Sequence, residues 1–140
     1  MKTKSTDDLF SEIMDYDNVE KYLSENDENY INTNLSSYLQ NLLNEKKLAK
    51  SKVIKKAELS DVFGYQIFAG IKNPSRDKLV CLGVAMELNL DEIQLMLKHN
   101  GYALLYPKIK RDSIIIFGIS KKMSVVEINE LLFDANEETL

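Results

Sequence analysis

Sliding the chain by 35 residues lays RDKLVCLGVAMELNLDEIQLMLKHNG, residues 76–101, over RDSIIIFGISKKMSVVEINELLFDAN, residues 111–136, without a gap. Arg76/Arg111, Asp77/Asp112, Gly83/Gly118, Glu92/Glu127, Ile93/Ile128 and Leu97/Leu132 are identical, and apolar positions between them mostly align. Whatever supersecondary unit the first copy forms, the second forms too. Each copy reads as a helical hairpin. Asn89 with Glu92, and Ser124 with Glu127, place a cap and its reciprocal partner at the start of the second helix of each pair. The run IIIFGI, residues 114–119, has the branched residues of a strand, but its match to LVCLGV predicts a helix.

The rest of the chain is equally hospitable to helices. Its two prolines are Pro74 and Pro107 and its glycines number five, so helical stretches meet few interruptions. An all-α fold follows. From Asn34, Leu35, Tyr38, Leu39, Leu42 and Leu43 recur at three- and four-residue spacing and make the stripe of a first core helix. Val53, Ile54 and Ala57 supply the inner face of the next, and Leu59 is placed to plug the turn after it. Asp61 or Ser60 can cap a third helix, with Phe63, Ile67 and Phe68 as inward anchors and Gly70 as its stop. The N-terminal arm has one amphipathic piece around Leu9, Ile13 and Met14 and a second, DNVEKYLSEN, for which Asp17 and Glu20 form a candidate cap. Short helices of this kind are marginal alone.

Charge is polarised along the sequence. Residues 1–37 carry three basic and nine acidic side chains, a balance of −6, whereas residues 46–80 carry nine basic and three acidic, a balance of +6. The overall −4 therefore conceals a basic module. Lys46, Lys47, Lys50, Lys52, Lys55 and Lys56 crowd one helix-forming stretch, and such a cluster can displace counterions from a phosphate backbone. A tethered acidic arm is a natural competitor for that surface.

The segment from about Leu39 to Leu97 resembles the lambda-repressor-like (Xre-type) helix-turn-helix family. The resemblance rests on LQNLLNEKKL, on the glycine of FAGIKNPS after the third helix with Ile67 three residues before it, on PSRDKL opening a fourth helix, and on LNLDEI opening a fifth. It implies a five-helix lambda-repressor-like helix-turn-helix domain over residues 34–101; the acidic N-terminal arm of short helices then occupies 1–33, and the C-terminal helical hairpin over 102–140 resembles the region appended to some bacterial regulators. The implied function is sequence-specific DNA binding in transcription regulation, of bacterial or phage type, with double-stranded DNA as partner and a homodimer as the assembly. By position, Lys50 and Ser51 would contact phosphate, with Lys46 and Lys52 adding charge. Asp61 and Val62 fall where base-reading side chains are placed, with Tyr65 and Gln66 on the next outward turn. Gln66 suits the role best, because its amide can bond an adenine edge in two places. Lys72, Asn73 and Arg76 would grip the backbone again.

Four residues depart from the family pattern. Lys50 replaces a common glutamine, Ile54 a small alanine, Glu58 a turn glycine and Gly64 a buried aliphatic residue. Asp61 is repelled by phosphate and accepts only from a cytosine amine, and Val62 offers a thymine methyl contact at most. A second expectation is therefore a non-catalytic protein-interaction module, an antitoxin, adaptor or inhibitor, using Val62, Phe63, Tyr65 and Phe68.

Catalysis is not expected. Serines are not set in a nucleophile elbow, no glycine loop cradles phosphate, and carboxylates are scattered. His99, the single histidine, reads as a helix-end residue, and Cys81 as a buried small hydrophobe. No metal, cofactor or membrane association is expected, and the absence of an apolar run long enough to span a bilayer makes the cytoplasm the expected address.

Overall fold

The structure, a computed structural model, describes residues 5–25 and 34–140, and it is all-helical among them. The chain divides into two compact units, residues 1–31 and 32–140. In the first, α1 (Thr6–Asp15) begins at Ser5, whose hydroxyl accepts from the Asp8 amide, and α2 (Val19–Glu25) follows. The cap of α2 is Asn18, not Asp17: its Oδ1 accepts from the Lys21 amide at 3.1 Å and its carbonyl accepts from Tyr22. Asp17 lies one residue too early for its side chain to reach that turn. Tyr16 packs edge-on against Tyr22, and its hydroxyl donates to the Glu25 carboxylate, which holds the phenol up at about 12. Residues 1–4 and 26–33 of the expected arm lie outside the described residues.

The second unit holds α3 (Leu35–Lys46), α4 (Lys50–Lys56), α5 (Asp61–Phe68), α6 (Arg76–Ala85), α7 (Leu90–His99), α8 (Lys110–Ser120) and α9 (Val125–Asp134). Leu35, Leu39 and Leu43 are buried as their spacing predicts, as are Val53, Ile54, Ala57, Ile67 and Phe68, while Leu59 and Phe63 pack half-buried against the same core. That core runs without interruption into Ile115, Ile119, Ile128 and Leu132, so the C-terminal hairpin shares it with the preceding five helices. The IIIFGI run is helical, inside α8.

The same turn joins α4 to α5, α6 to α7 and α8 to α9. Glu58, Glu87 and Lys122 adopt the left-handed conformation, with φ of 60°, 59° and 57°. The next residue donates back to the helix, Leu59 to Ile54, Leu88 to Gly83 and Met123 to Gly118, at 3.0–3.3 Å. Ser60, Asn89 and Ser124 then cap the following helix, the last two with the reciprocal glutamate expected from sequence. The α4–α5 hairpin thus has the register of the two repeat hairpins, with Ile54/Gly64, Gly83/Ile93 and Gly118/Ile128 in equivalent places.

In every hairpin one of these two residues is glycine and the other isoleucine. A Cβ on Gly64 would lie 2.4 Å from Ile54 Cγ2, and on Gly118 2.5 Å from Ile128 Cγ1. In α4–α5 the large residue has moved to the first helix and the glycine to the second. This explains two departures together: Ile54 fills the volume that Gly64 vacates. Glu58, the third, keeps a left-handed turn without glycine, at a cost of about 1 kcal/mol.

Candidate nucleic-acid interface

The face in question is built from the opening of α4, the outward side of α5 and the loop behind it. On α5, Gly64, Ile67 and Phe68 point into the core, which leaves Asp61, Val62, Tyr65 and Gln66 on the opposite side at helical spacing. Asp61, Val62 and Tyr65 are exposed and Gln66 is half-buried. Ser60 accepts from the Phe63 amide at 3.2 Å and fixes where the helix starts, and hence which residues face out. At the other end Gly70, with φ of 78°, terminates it, and the Gln66 carbonyl accepts from Ile71 and Lys72.

The lysines do not all behave alike. Lys50 Nζ sits 5.5 Å from the centre of the Phe68 ring, which brings the first residue of α4 to the last turn of α5. Lys72 and Asn73 leave that same end exposed, as do Ser51 and Lys52 on α4. Positive charge therefore gathers around the C-terminal end of α5, while Asp61 occupies its N-terminal end. Lys46 is engaged elsewhere, in a 2.9 Å ion pair with Glu92, whose carboxyl is held below its usual range by the Asn89 amide first and by Lys46 second.

Arg76 does not extend this face. Its Nη1 and Nη2 pair with both oxygens of Asp112 at 3.2 and 2.7 Å, Nε donates to the Ala103 carbonyl and Nη2 also to that of Leu104. A guanidinium with its donors so committed is a structural clasp. Asp112 itself is 2% exposed and also accepts from the Tyr106 amide. Burial pushes its carboxyl up, but the Arg76 pair and the Tyr106 amide outweigh that and hold it below the ordinary carboxylate value.

Two features of the face differ from the sequence expectation. Phe63 and Phe68 turn inward, as their place as core anchors requires and against their place in a protein contact, so that face keeps only Val62 and Tyr65 of the four. Ile71 joins them. As the residue after a helix-terminating glycine it would ordinarily fold back onto the helix, yet it is 69% exposed, comparable to Val62 at 71%. Its only sequence signal was its place between Gly70 and Lys72. His99 ends α7 and stacks on Tyr38 at 6.2 Å between ring centres, and Cys81 is buried, its thiol pushed up to about 11 by burial. Among the described residues no helix is long and apolar enough to cross a membrane. No family model, curated protein or solved structure matches the chain.

Proposed function

We propose that the protein is a cytoplasmic, sequence-specific DNA-binding transcriptional regulator of bacterial or phage type. On this reading α3–α7 form a five-helix lambda-repressor-like domain, α4–α5 is its helix-turn-helix, and α5 enters the major groove. The observation that carries it is the outward strip of α5, Asp61, Val62, Tyr65 and Gln66, beside Lys50 and Lys72 in the one strongly basic stretch of the chain. Gln66 and Tyr65 would read base edges, Val62 and Ile71 would offer apolar contact to thymine methyls, and Lys50, Ser51, Lys52, Lys72 and Asn73 would hold phosphate. Asp61 would select a cytosine amine and disfavour other bases at its position. Lys46 and Arg76, spent on Glu92 and Asp112, contribute through the scaffold.

The decisive experiment exposes the purified protein to a random duplex library at two salt concentrations and sequences what is retained. An enriched motif, lost together with affinity on Gln66→Ala, is the expected result. Lys50→Glu should weaken binding to all sequences and flatten the salt dependence by about one unit of slope. No retention at low salt would overturn the reading.

A second reading draws on one observation. Val62 and Tyr65 on the outward side of α5 and Ile71 in the loop after it are three exposed apolar or aromatic side chains, the composition of a protein contact. A protein-interaction module on the same scaffold would lose binding on Tyr65→Ala and show little salt effect. The inward turn of Phe63 and Phe68 makes its contact surface small, which favours DNA.

A further inference from the structure

The two repeat hairpins are joined by reciprocal contacts. Arg76 of the first pairs with Asp112 of the second, and Arg111 of the second pairs with Asp77 of the first, Nη1 to Oδ1 and Nη2 to Oδ2 both at 2.9 Å. Each arginine also clamps the end of its own repeat, Arg76 on the Ala103 and Leu104 carbonyls and Arg111 on those of Glu138 and Thr139, again 35 residues apart. The same shift relates the Gln94 bond to the Leu105 amide and the Asn129 bond to the Leu140 amide.

A translation along a solenoid would carry the Arg76–Asp112 pair onto Arg111 and a residue 35 positions further on. Instead it is carried onto Arg111 and Asp77, which only a twofold rotation does. At the opposite end, a groove of about 370 Å³ is lined by the register pairs Val84/Ile119, Glu87/Lys122 and Leu88/Met123, so the same axis passes between the turns. The two hairpins therefore meet as the subunits of a symmetric dimer do, each offering the same patch to the other.

We propose that the face of α6 and α7 covered by the C-terminal hairpin is a self-complementary docking surface, and that its occupant in trans is the α8–α9 hairpin of a second copy of this chain. Two copies then exchange hairpins and remake the contacts between α6–α7 and α8–α9, giving up only those that close the turn at residues 106–109. The tether permits this. Leu105 is anchored by both hydrogen bonds to Gln94, and α8 starts at Lys110, so residues 106–109 alone reverse the chain; all four are exposed, and the turn is held by the Ile109 amide on the Tyr106 carbonyl, the Tyr106 amide on Asp112 and the Ser113 hydroxyl on the Pro107 carbonyl. A connection this short raises the local concentration of the cis hairpin to about millimolar, so the closed monomer dominates in micromolar solution and exchange wins when cis docking is penalised. If the DNA-binding reading holds, exchange converts a chain with one α5 into an assembly with two, related by the symmetry of a palindromic site.

The test uses two full-length variants and no DNA, so its failure is separate from failure of the functional reading. Asp77→Arg places like charges opposite each other in cis, and Arg111→Asp does the same with the opposite sign. In a hairpin-exchanged pair of one of each, both contacts become attractive. Equal amounts refolded together should give a 1:1 dimer of twice 16.1 kDa by light scattering, with a higher melting temperature than either variant alone. A mixture that stays monomeric, or that melts as the sum of its components, overturns the proposal. Deleting residues 106–108 from the otherwise natural chain supplies an independent check. A dimer of unchanged helicity is expected, and a monomer, folded or with the hairpin melted, counts against it.

Discussion

The hairpins α6–α7 and α8–α9 have one design and different neighbours. Leu82 is fully buried and its counterpart Phe117 is 49% exposed; Ala85 and Met86 are buried, whereas Ser120 and Lys121 face solvent. Helix α4 packs on α6, while among the described residues no helix packs on α8 in the same way. Where cover is missing the sequence turned polar, and Lys121 lies over the Phe117 ring at 5.7 Å. The outer face of the second helix drifts the other way: Asp91 and Lys98 of the first copy become Val126 and Phe133, the latter 75% exposed. The glycine, the isoleucine, the capping box of the second helix and the Arg–Asp pair did not drift. Positions facing the partner hairpin are constrained by shape, and positions facing outward only by what covers them.

The comparison breaks most sharply at the covered position. Leu82→Ala should cost about 3 kcal/mol, as removal of a fully buried leucine does, and Phe117→Ala less than about 1 kcal/mol, read by urea unfolding. Equal losses would mean that α4 does not cover α6 in solution.

The reciprocal pairs differ in depth and should differ in worth. Asp112→Ala removes a buried carboxylate that holds both Arg76 and the Tyr106 amide and should cost about 3 kcal/mol; Asp77→Ala removes a carboxylate about a third exposed and should cost about 1 kcal/mol. Acid sharpens the distinction. Because the Asp112 carboxyl is lowered in the folded state, its contribution is present above the unfolded value near 4 and is lost as pH falls through the folded one. The natural protein should therefore lose more stability between pH 5 and 2 than the Asp112→Asn variant, measured by the urea midpoint at each pH.

Crowding at the hairpin crossings ranks next. Gly118→Ala, with 2.5 Å to Ile128 Cγ1, should destabilise by about 1–2 kcal/mol, and Gly83→Ala, with 2.9 Å to Ile93 Cγ1, by less, since each gains about 1 kcal/mol of helix propensity against the clash. The smallest effect should be shared. Glu87→Gly and Lys122→Gly relieve the same left-handed strain and should each raise stability by up to about 0.5 kcal/mol, part of the gain being lost to unfolded-chain freedom.

Much of this architecture could be read along the chain. Apolar spacing marks α3, α4 and α5, and a capping residue with a glutamate three positions on marks the starts of α7 and α9, because these signals act within one or two helical turns. Of the site, the outward strip of α5 followed from its helical phase. The competing demands on charged groups did not: nothing near Lys46 or Arg76 announces Glu92, 46 residues later, or Asp112, 36 residues later. Ile54 and Gly64 look like two unrelated departures until the hairpin brings them into contact.

The repeat itself shows the division most clearly. Residues 76–101 and 111–136 had to form the same unit, since like sequence has like local preferences and like caps. Whether those units stack by translation or face each other across a twofold depends on which surfaces bury one another, and a 35-residue shift is compatible with both. The choice lies in the long-range pairing of Arg76 with Asp112 and of Arg111 with Asp77, which gains its energy only once the two hairpins have docked.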